Sequence, residues 1–411
     1  MGSSGFRAGL EAVRIAQFLT YYRPHISGLT IYVERLARGL AREGHQVTVL
    51  TSQYDRALPR VEQRDGVMVI RAPVLARVSK GVIMPTFGFL ARRVIQQSDV
   101  VHIHLPQFDG AGLAINARLF RRPSVLTYHC DLRLPPSLVN AVAQPVIELA
   151  NHLAARSVDR VVAYTEDYAR HSPFLSRYMH KLRVIPPPVE TELPTEADLA
   201  AFRSKVGLNN GVGPVIGMAA RLATEKGVEI LVRALEIIRH THPQARVLFA
   251  GPYRNVLGEE AYAQRLQPHF DALGSAWSFL GALSGRELSA FFAACDVTVL
   301  PSLNSTESFG LVQVESMLCG TPSVCSNLPG VRVAVQSTGM GEVVAVGDAQ
   351  ALAEAILRVY AHRARYVRPR EAIERLFSTA RTVREYLSLY DELIEHASKG
   401  ERTSEVQTRR K

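Results

Sequence analysis

The chain has 411 residues, 47% hydrophobic and 21% charged, with 48 Lys and Arg against 38 Asp and Glu for a formal net charge of +10. That length accommodates two domains of ordinary size, and the balance is that of a globular protein, which excludes fibrous and wholly disordered classes. No apolar run reaches the roughly 18 residues of a spanning helix. Met1-Gly2-Ser3-Ser4-Gly5 lacks the apolar core of a secretory signal, and Cys130, Cys295, Cys319 and Cys325 show no C-x-x-C spacing. They read as buried thiols of a reducing compartment, so the expected location is the cytoplasm.

The positive excess gathers at Arg77, Lys80, Arg92, Arg93, Arg118, Arg121 and Arg122, and again at Arg409-Arg410-Lys411. No RNA-binding aromatic signature, zinc-finger spacing or helix-turn-helix pattern accompanies it, so no nucleic-acid partner is expected. Two readings stay open: a solvated basic face, or peripheral contact with an anionic membrane on its inner side.

In chain order, apolar runs of strand length alternate with helical patterns. Val13–Leu19 predicts a strand, Leu29–Glu43 a helix, and Gln46–Thr51 a strand beyond Gly44. Val67–Arg71, Val100–His104, Ser124–Tyr128 and Arg160–Thr165 continue the series, with a long helix over Ser137–Ser157. Such alternation implies a parallel sheet covered on both faces. Leu182–Ile185 then meets Pro186–Pro188, which remove donors, fix φ and end the sheet. A second series has strands over Val215–Ala219, Arg246–Ala250, Ser278–Leu280, Val297–Leu300 and Ser323–Ser326, closing near Arg363. The fold class is therefore α/β, with two doubly wound units. An amphipathic helix covers Ala380–His396, and the polar stretch beyond it predicts a disordered tail. The domains implied are residues 1–190, residues 191–375, a helix within 376–397 and a basic tail over 398–411.

Open α/β sheets bind ligands at the carboxyl ends of their strands, so two such sheets facing each other would place the chemistry in loops lining a cleft. In the second unit, Val297–Pro301 leads through a loop to Glu307, and a helical pattern then carries Glu315 about two turns in. Between the carboxylates lie the unpaired N–H groups of a helix start, at Phe309, Gly310 and Leu311, with Gly310 permitting close backbone approach. An anion suits the helix start and polyol hydroxyls suit the flanking carboxylates; together these describe a nucleotide sugar. The plain alternative is an amphipathic helix with two solvated glutamates. Arg221 and Lys226 follow the strand Val215–Ala219, and two cations there suit a departing diphosphate, against the alternative of a solvated loop. In the first unit, Gly28 opens a helix after the first strand and could let a backbone N–H approach the donor. His129 ends the strand Ser124–Tyr128, as a ligand contact or as a structural histidine. His102 and His104 share a strand face, but no Cys or carboxylate completes a metal site beside them.

The stretch from Glu307 to Glu315 resembles the E-x7-E signature of retaining glycosyltransferases of family 4, the group 1 glycosyltransferases with the two-domain GT-B fold. Pro301-Ser302, Cys319-Gly320-Thr321-Pro322, Asn327-Leu328-Pro329-Gly330 and Gly347-Asp348 agree with that family, and the similarity runs from about residue 12 to residue 395. The resemblance implies two Rossmann-like domains and a last helix crossing back to the first. It assigns Glu315 to the ribose hydroxyls, and Glu307 with the Phe309, Gly310 and Leu311 backbone to the hexose and distal phosphate. Arg221 and Lys226, similar to the family's Arg-x4-Lys pair, stand in place of a metal; no Asp-x-Asp motif is present. His129 lies in Thr-Tyr-His-x-Asp, similar to glycolipid-forming members in which the histidine contacts the donor sugar. The family's two adjacent glycines are here Ser27-Gly28, a departure that leaves the loop geometry undetermined, and the missing Lys-x-Gly-Gly argues against an ADP-glucose polymerase.

The function implied is a retaining, metal-independent hexosyltransferase with no cofactor, using a UDP- or GDP-linked sugar. A lipid, lipid-linked or polysaccharide acceptor is expected from the basic first unit and the apolar loop Leu132–Leu138. A nucleotide-sugar epimerase, or a non-catalytic sugar-nucleotide-binding protein, are the alternatives.

Overall fold

Apolar runs bounded by breakers become the strands. A computed structural model describes residues 12–78, 81–132, 138–208, 213–256 and 258–408. Its strands are β1 (Arg14–Phe18), β2 (Gln46–Gln53), β3 (Val61–Arg64), β4 (Val67–Pro73), β5 (Ala76–Val78), β6 (Gly81–Ile83), β7 (Val100–Leu105), β8 (Ser124–Tyr128), β9 (Arg160–Ala163) and β10 (Leu182–Val184). Those of the later half are β11 (Val215–Ala219), β12 (Arg246–Ala250), β13 (Trp277–Gly281), β14 (Val297–Leu300), β15 (Ser323–Ser326) and β16 (Gly341–Val344).

The first unit holds the described residues of Met1–Ala163, Pro173–Pro188 and Thr379–Lys411. Its eight-stranded sheet runs β10-β9-β8-β7-β1-β2-β4-β3, parallel throughout except for β3, which pairs antiparallel with β4. That edge hairpin escapes the hydrophobic pattern because β3 is polar and largely exposed. Its turn was nonetheless legible: Asp65 and Gly66, at φ 50° and 81°, are the Asp-Gly pair that a tight hairpin demands. Central strands β7 and β8 are buried along their whole length.

The C-terminal helix Thr379–Thr408 belongs to this unit, packing on the helix Gly28–Arg42 through Val383 and Tyr386, while Tyr390 reaches His102 of β7. It runs past His396, so residues 398–408 are helical where a disordered tail was expected. Hydrogen bonding continues through Ser398 Oγ, which donates to Ile394 O at 2.9 Å, and Lys399 pairs with Glu395 one turn back. Local contacts of this kind extend a helix that tertiary packing has already nucleated. Arg409-Arg410-Lys411, Lys80, Ser137 and residues 133–137 of the apolar loop lie outside the described residues.

The second unit holds Tyr164–Ser172 and Val189–Ser378. Its six-stranded sheet runs β13-β12-β11-β14-β15-β16, wholly parallel. Alternation along β11 and β12 fills both faces: Ile216, Met218, Val247 and Phe249 pack toward the helix Val228–Thr241, while Val215, Leu248 and Ala250 pack toward Phe291 and Phe292. Burying side chains of this size contributes about 1.5–3 kcal/mol each. The short edge strand β16 was not predicted. Nor was the transfer of Tyr164–Ser172 to this unit, an excursion that precedes the division at Pro188 and Val189, close to the expected break. Cys295 and Cys325 are buried as expected, burial pushing the Cys325 thiol up to about 12, whereas Cys130 and Cys319 are partly exposed.

Candidate active site

In the second sheet the order reverses between β11 and β14, the point at which open α/β sheets leave a crevice beyond the strand ends. The loop after β11 carries Arg221 and Lys226, and the loop after β14 carries Glu307. Lys226 Nζ donates to Glu307 Oε2 at 2.6 Å, with both side chains four-fifths buried. Two residues singled out from distant segments are thus one ion pair. Arg221 pairs in turn with Glu225 of its own loop, whose carbonyl accepts the Leu303 N–H at 2.9 Å and so ties the two loops together.

The loops approach closely because Gly227 adopts φ +66°, and a Cβ there would lie 2.1 Å from Pro301 O. Glu259 holds the other side of the first loop, accepting from Thr224 N–H and Oγ1 at 2.9 and 2.8 Å. Gly310 sits in the left-handed region at φ 81°, ψ 69°, and gives the helix Leu311–Leu318 no side-chain cap. Its N-terminal donors are therefore left to backbone geometry or to a ligand. The left-handed residue also delays the helix, so Glu315 lies about one turn in, not two, and is 5% exposed. Phe309 is buried edge-on against Tyr164 and Phe377, which turns its side chain into the core and leaves only its backbone for a ligand. Gln313 Nε2 locks the turn, donating to Phe309 O and to Val331 O, each at 3.1 Å.

Asp167 and Tyr168 support the site from far away in sequence. Tyr168 OH donates to Ser305 O at 2.9 Å, and the Asp167 carboxylate accepts from Gly330 N–H at 2.9 Å and from Arg332 Nη2 at 2.6 Å. Burial alone would raise the Asp167 carboxyl, but the Arg332 and Gly330 hydrogen bonds together outweigh it and hold the group below 3.8. Glu225, Glu259, Asp167, Tyr168 and Arg332 were not picked out from the sequence. Only Glu225 carried a signal there, as the one acid between the two cations of its loop.

The remaining candidates, Gly28 and His129, belong to the first unit. Gly28 opens the helix Gly28–Arg42, is exposed, and has no atom within 4 Å of where a Cβ would stand. Ser27, the departure from the paired glycines, is that helix's N-cap: its Oγ accepts the Thr30 N–H at 3.2 Å. His129 is 4% exposed beyond β8, with Nε2 3.0 Å from His104 Nδ1 and the ring edge-on to Tyr32 at 4.9 Å. Burial lowers its imidazole to about 3, so it is uncharged at neutral pH. His102 bridges Tyr390 OH and Thr127 Oγ1 at 2.7 Å each, so these nitrogens serve a buried hydrogen-bond network.

Residues 201–375 match the pattern of "Glycosyl transferases group 1" and residues 27–188 that of "Glycosyl transferase 4-like domain". A D-inositol 3-phosphate glycosyltransferase of Acidothermus cellulolyticus is 30% identical over 396 residues, covering 89% of this chain and 86% of the relative. The chain belongs to the group 1 glycosyltransferases. A 2-deoxystreptamine glucosyltransferase of Streptomyces kanamyceticus is 28% identical, with 80% of this chain and 89% of the relative covered. Among solved structures, Anabaena Alr3699/HepE in complex with UDP-glucose superposes with a TM-score of 0.74 at 21% identity, covering 93% of this chain and 100% of that one. Sucrose-phosphate synthase from Thermosynechococcus elongatus gives 0.73 at 23% identity, with the same coverage. The fold of this glycosyltransferase is GT-B, with two Rossmann-like units.

Proposed function

We propose that the enzyme transfers a hexose from a nucleoside-diphosphate sugar with retention of anomeric configuration and without a metal ion. The observation that carries this reading is the meeting of Lys226 and Glu307 at 2.6 Å beside the uncapped helix start at Gly310, at the switch point of the second sheet. Arg221 and Lys226 stabilise the charge that develops on the diphosphate as the glycosidic bond breaks, and being fixed in advance they need no reorganisation. Glu307 and the Phe309–Leu311 backbone hold the hexose and distal phosphate, and Glu315 the ribose. The departing phosphate oxygen takes the acceptor's proton on the face it leaves, so no side chain acts as base. His129, neutral at working pH, serves as a hydrogen-bonding contact and not as a proton carrier. The exposed Gly28 backbone is the corresponding donor contact on the first unit.

Uridine donors head the panel to be tested, because a structural neighbour binds UDP-glucose; GDP sugars follow. For the acceptor, the basic first unit supports a lipid or lipid-linked glycan. A cyclitol or its phosphate is the second reading, favoured by relatives that act on D-inositol 3-phosphate and 2-deoxystreptamine. The test is a donor-by-acceptor matrix with product anomers assigned by NMR, run with and without EDTA. An α-linked product from an α-linked donor at undiminished rate in EDTA is the expected result. Inversion, or loss of turnover on chelation, would overturn the corresponding part, and donor binding without transfer to any acceptor class would leave a sugar-nucleotide-binding protein.

A further inference from the structure

The helices Gly110–Leu119 and Leu138–Ser157 pack side by side in the first unit and leave apolar side chains facing water. Val146, Leu149 and Leu153 recur at helical spacing and are 57%, 62% and 43% exposed; Ile115 and Leu119, one turn apart, are 44% and 71% exposed. Surface apolar side chains scattered singly need no explanation, but three at helical spacing on one helix and two on the helix packed against it are more than scatter.

Cations border these side chains where the helices end. A cavity of about 640 Å³ is lined by Arg118, Arg121, Arg122 and Arg156, and its acid, Asp159, already accepts from Ser124 N–H and Oγ at 2.7 and 2.9 Å. A second cavity of about 540 Å³ shares Arg156 and adds Leu149, Arg177 and Lys181, so Leu149 joins the apolar side chains to the basic hollows. Arg122 and Lys181 have structural partners, donating to Gln96 O at 2.8 Å and to Val158 O at 2.9 Å. Arg118, Arg121 and Arg156 are exposed and take part in no ion pair among the described residues. Cations near helix C-termini complement the helix dipole, which accounts for one arginine per helix but not for the cluster or for the leucines beside it.

We infer that this two-helix face docks the enzyme on an anionic lipid surface, with Leu119, Val146, Leu149 and Leu153 entering the interface and Arg118, Arg121 and Arg156 pairing with lipid phosphates. Apolar side chains flanked by arginine are the composition that binds at the headgroup boundary. A second copy of the chain is the poorer occupant, because a two-fold contact here would set arginine against arginine. Nucleic acid offers the exposed leucines nothing to bury against. The assignment also narrows the basic set expected from sequence to Arg118 and Arg121 and adds Arg156: Arg77 donates to Tyr54 O at 2.6 Å, and Arg92 lies over the Phe120 ring. It does not rest on the donor site, whose charged residues are in the other unit.

The test is co-flotation with phosphatidylcholine vesicles, with and without phosphatidylglycerol, at low and high salt. The parent is expected to float only with the anionic vesicles and to be released by salt. Arg118→Ser/Arg121→Ser/Arg156→Ser should weaken binding roughly fivefold per arginine, on the order of a hundredfold in all, whereas the three Arg→Lys changes should retain it. Leu119→Ser/Leu149→Ser/Leu153→Ser should weaken it by a similar factor while leaving the UDP-induced thermal shift unchanged. The inference is overturned if the parent does not float, if neutral vesicles bind equally, or if either Ser variant floats like the parent. It is equally overturned if the leucine changes instead dissolve a dimer. Loss of the UDP shift in the parent would count against the donor reading and not against this one.

Discussion

Each unit places a polar cluster at the carboxyl ends of its strands, and the two clusters use opposite electrostatics. In the second unit the groups form ion pairs: Lys226 with Glu307, Arg221 with Glu225, Arg332 with Asp167. In the first they are neutral and buried: His102, His104 and His129 with Thr127, Tyr32, Tyr386 and Tyr390, joined by hydrogen bonds of 2.7–3.0 Å. A neutral network rigidifies a core at low desolvation cost, whereas charges kept partly hydrated at loop ends remain able to exchange one partner for a phosphate. On the proposed reading the reactivity belongs to the second unit, while the histidine cluster of the first is a scaffold that holds His129 as a neutral contact, although both sheets have the same kind of switch point.

The strongest way to break that contrast is to remove charge from the second unit. Lys226→Ala should lower turnover about 100- to 1,000-fold, the effect of losing one preorganised electrostatic partner. Donor affinity should fall less, because the charge on the diphosphate is greatest in the transition state. Steady-state kinetics alongside donor titration separates the two, and near-normal turnover would remove Lys226 from the mechanism.

Acid should sharpen the comparison. Burial first, then the neighbouring imidazoles, lowers His102 and His104 well below 6.5, and burial takes His129 to about 3. Between these values the unfolded chain binds protons that the folded chain does not, so stability is present above about pH 6.5 and falls as the pH drops. His129 alone should cost about 2–3 kcal/mol by pH 4.5. The Asp167 carboxyl, held below 3.8, stays ionised over that window and loses its contribution only at still lower pH. Hydrogen exchange at pH 7 and 4.5 should therefore show the first unit loosening before the Asp167–Arg332 region. Equal loss of protection in both would contradict the neutral-cluster account.

A glycine tests whether the charged loops depend on close approach. Gly227→Ala places a Cβ against Pro301 O at a left-handed φ and should destabilise the second unit by roughly 2–3 kcal/mol, visible in urea unfolding. An unchanged midpoint would mean that the two loops separate easily. The smallest effect is expected from Tyr386→Phe, which deletes one hydroxyl bridging Tyr32 and Thr127 and should cost about 1–2 kcal/mol with kcat unchanged. A loss of turnover there would give the histidine cluster a part in the chemistry.

Much of this architecture could be read from local pattern alone. Strands Ser124–Tyr128, Val215–Ala219, Arg246–Ala250, Val297–Leu300 and Ser323–Ser326 stand at the residues their apolar runs predict, and a proline or glycine adjoins at least one end of each run. The positions of the candidate site residues were legible because a loop beside a strand end is local too: Arg221 and Lys226 after β11, Glu307 and Gly310 after β14. Tertiary structure alone decided who faces whom. Lys226 meets Glu307 across 81 positions, Asp167 meets Arg332 across 165, and His102 meets Tyr390 across 288. It likewise decided that Tyr164–Ser172 joins the second unit and that Gly310 postpones its helix. Periodicity reports that a face will be buried, but a partner's identity depends on sheet order and loop approach, which no short stretch of residues encodes.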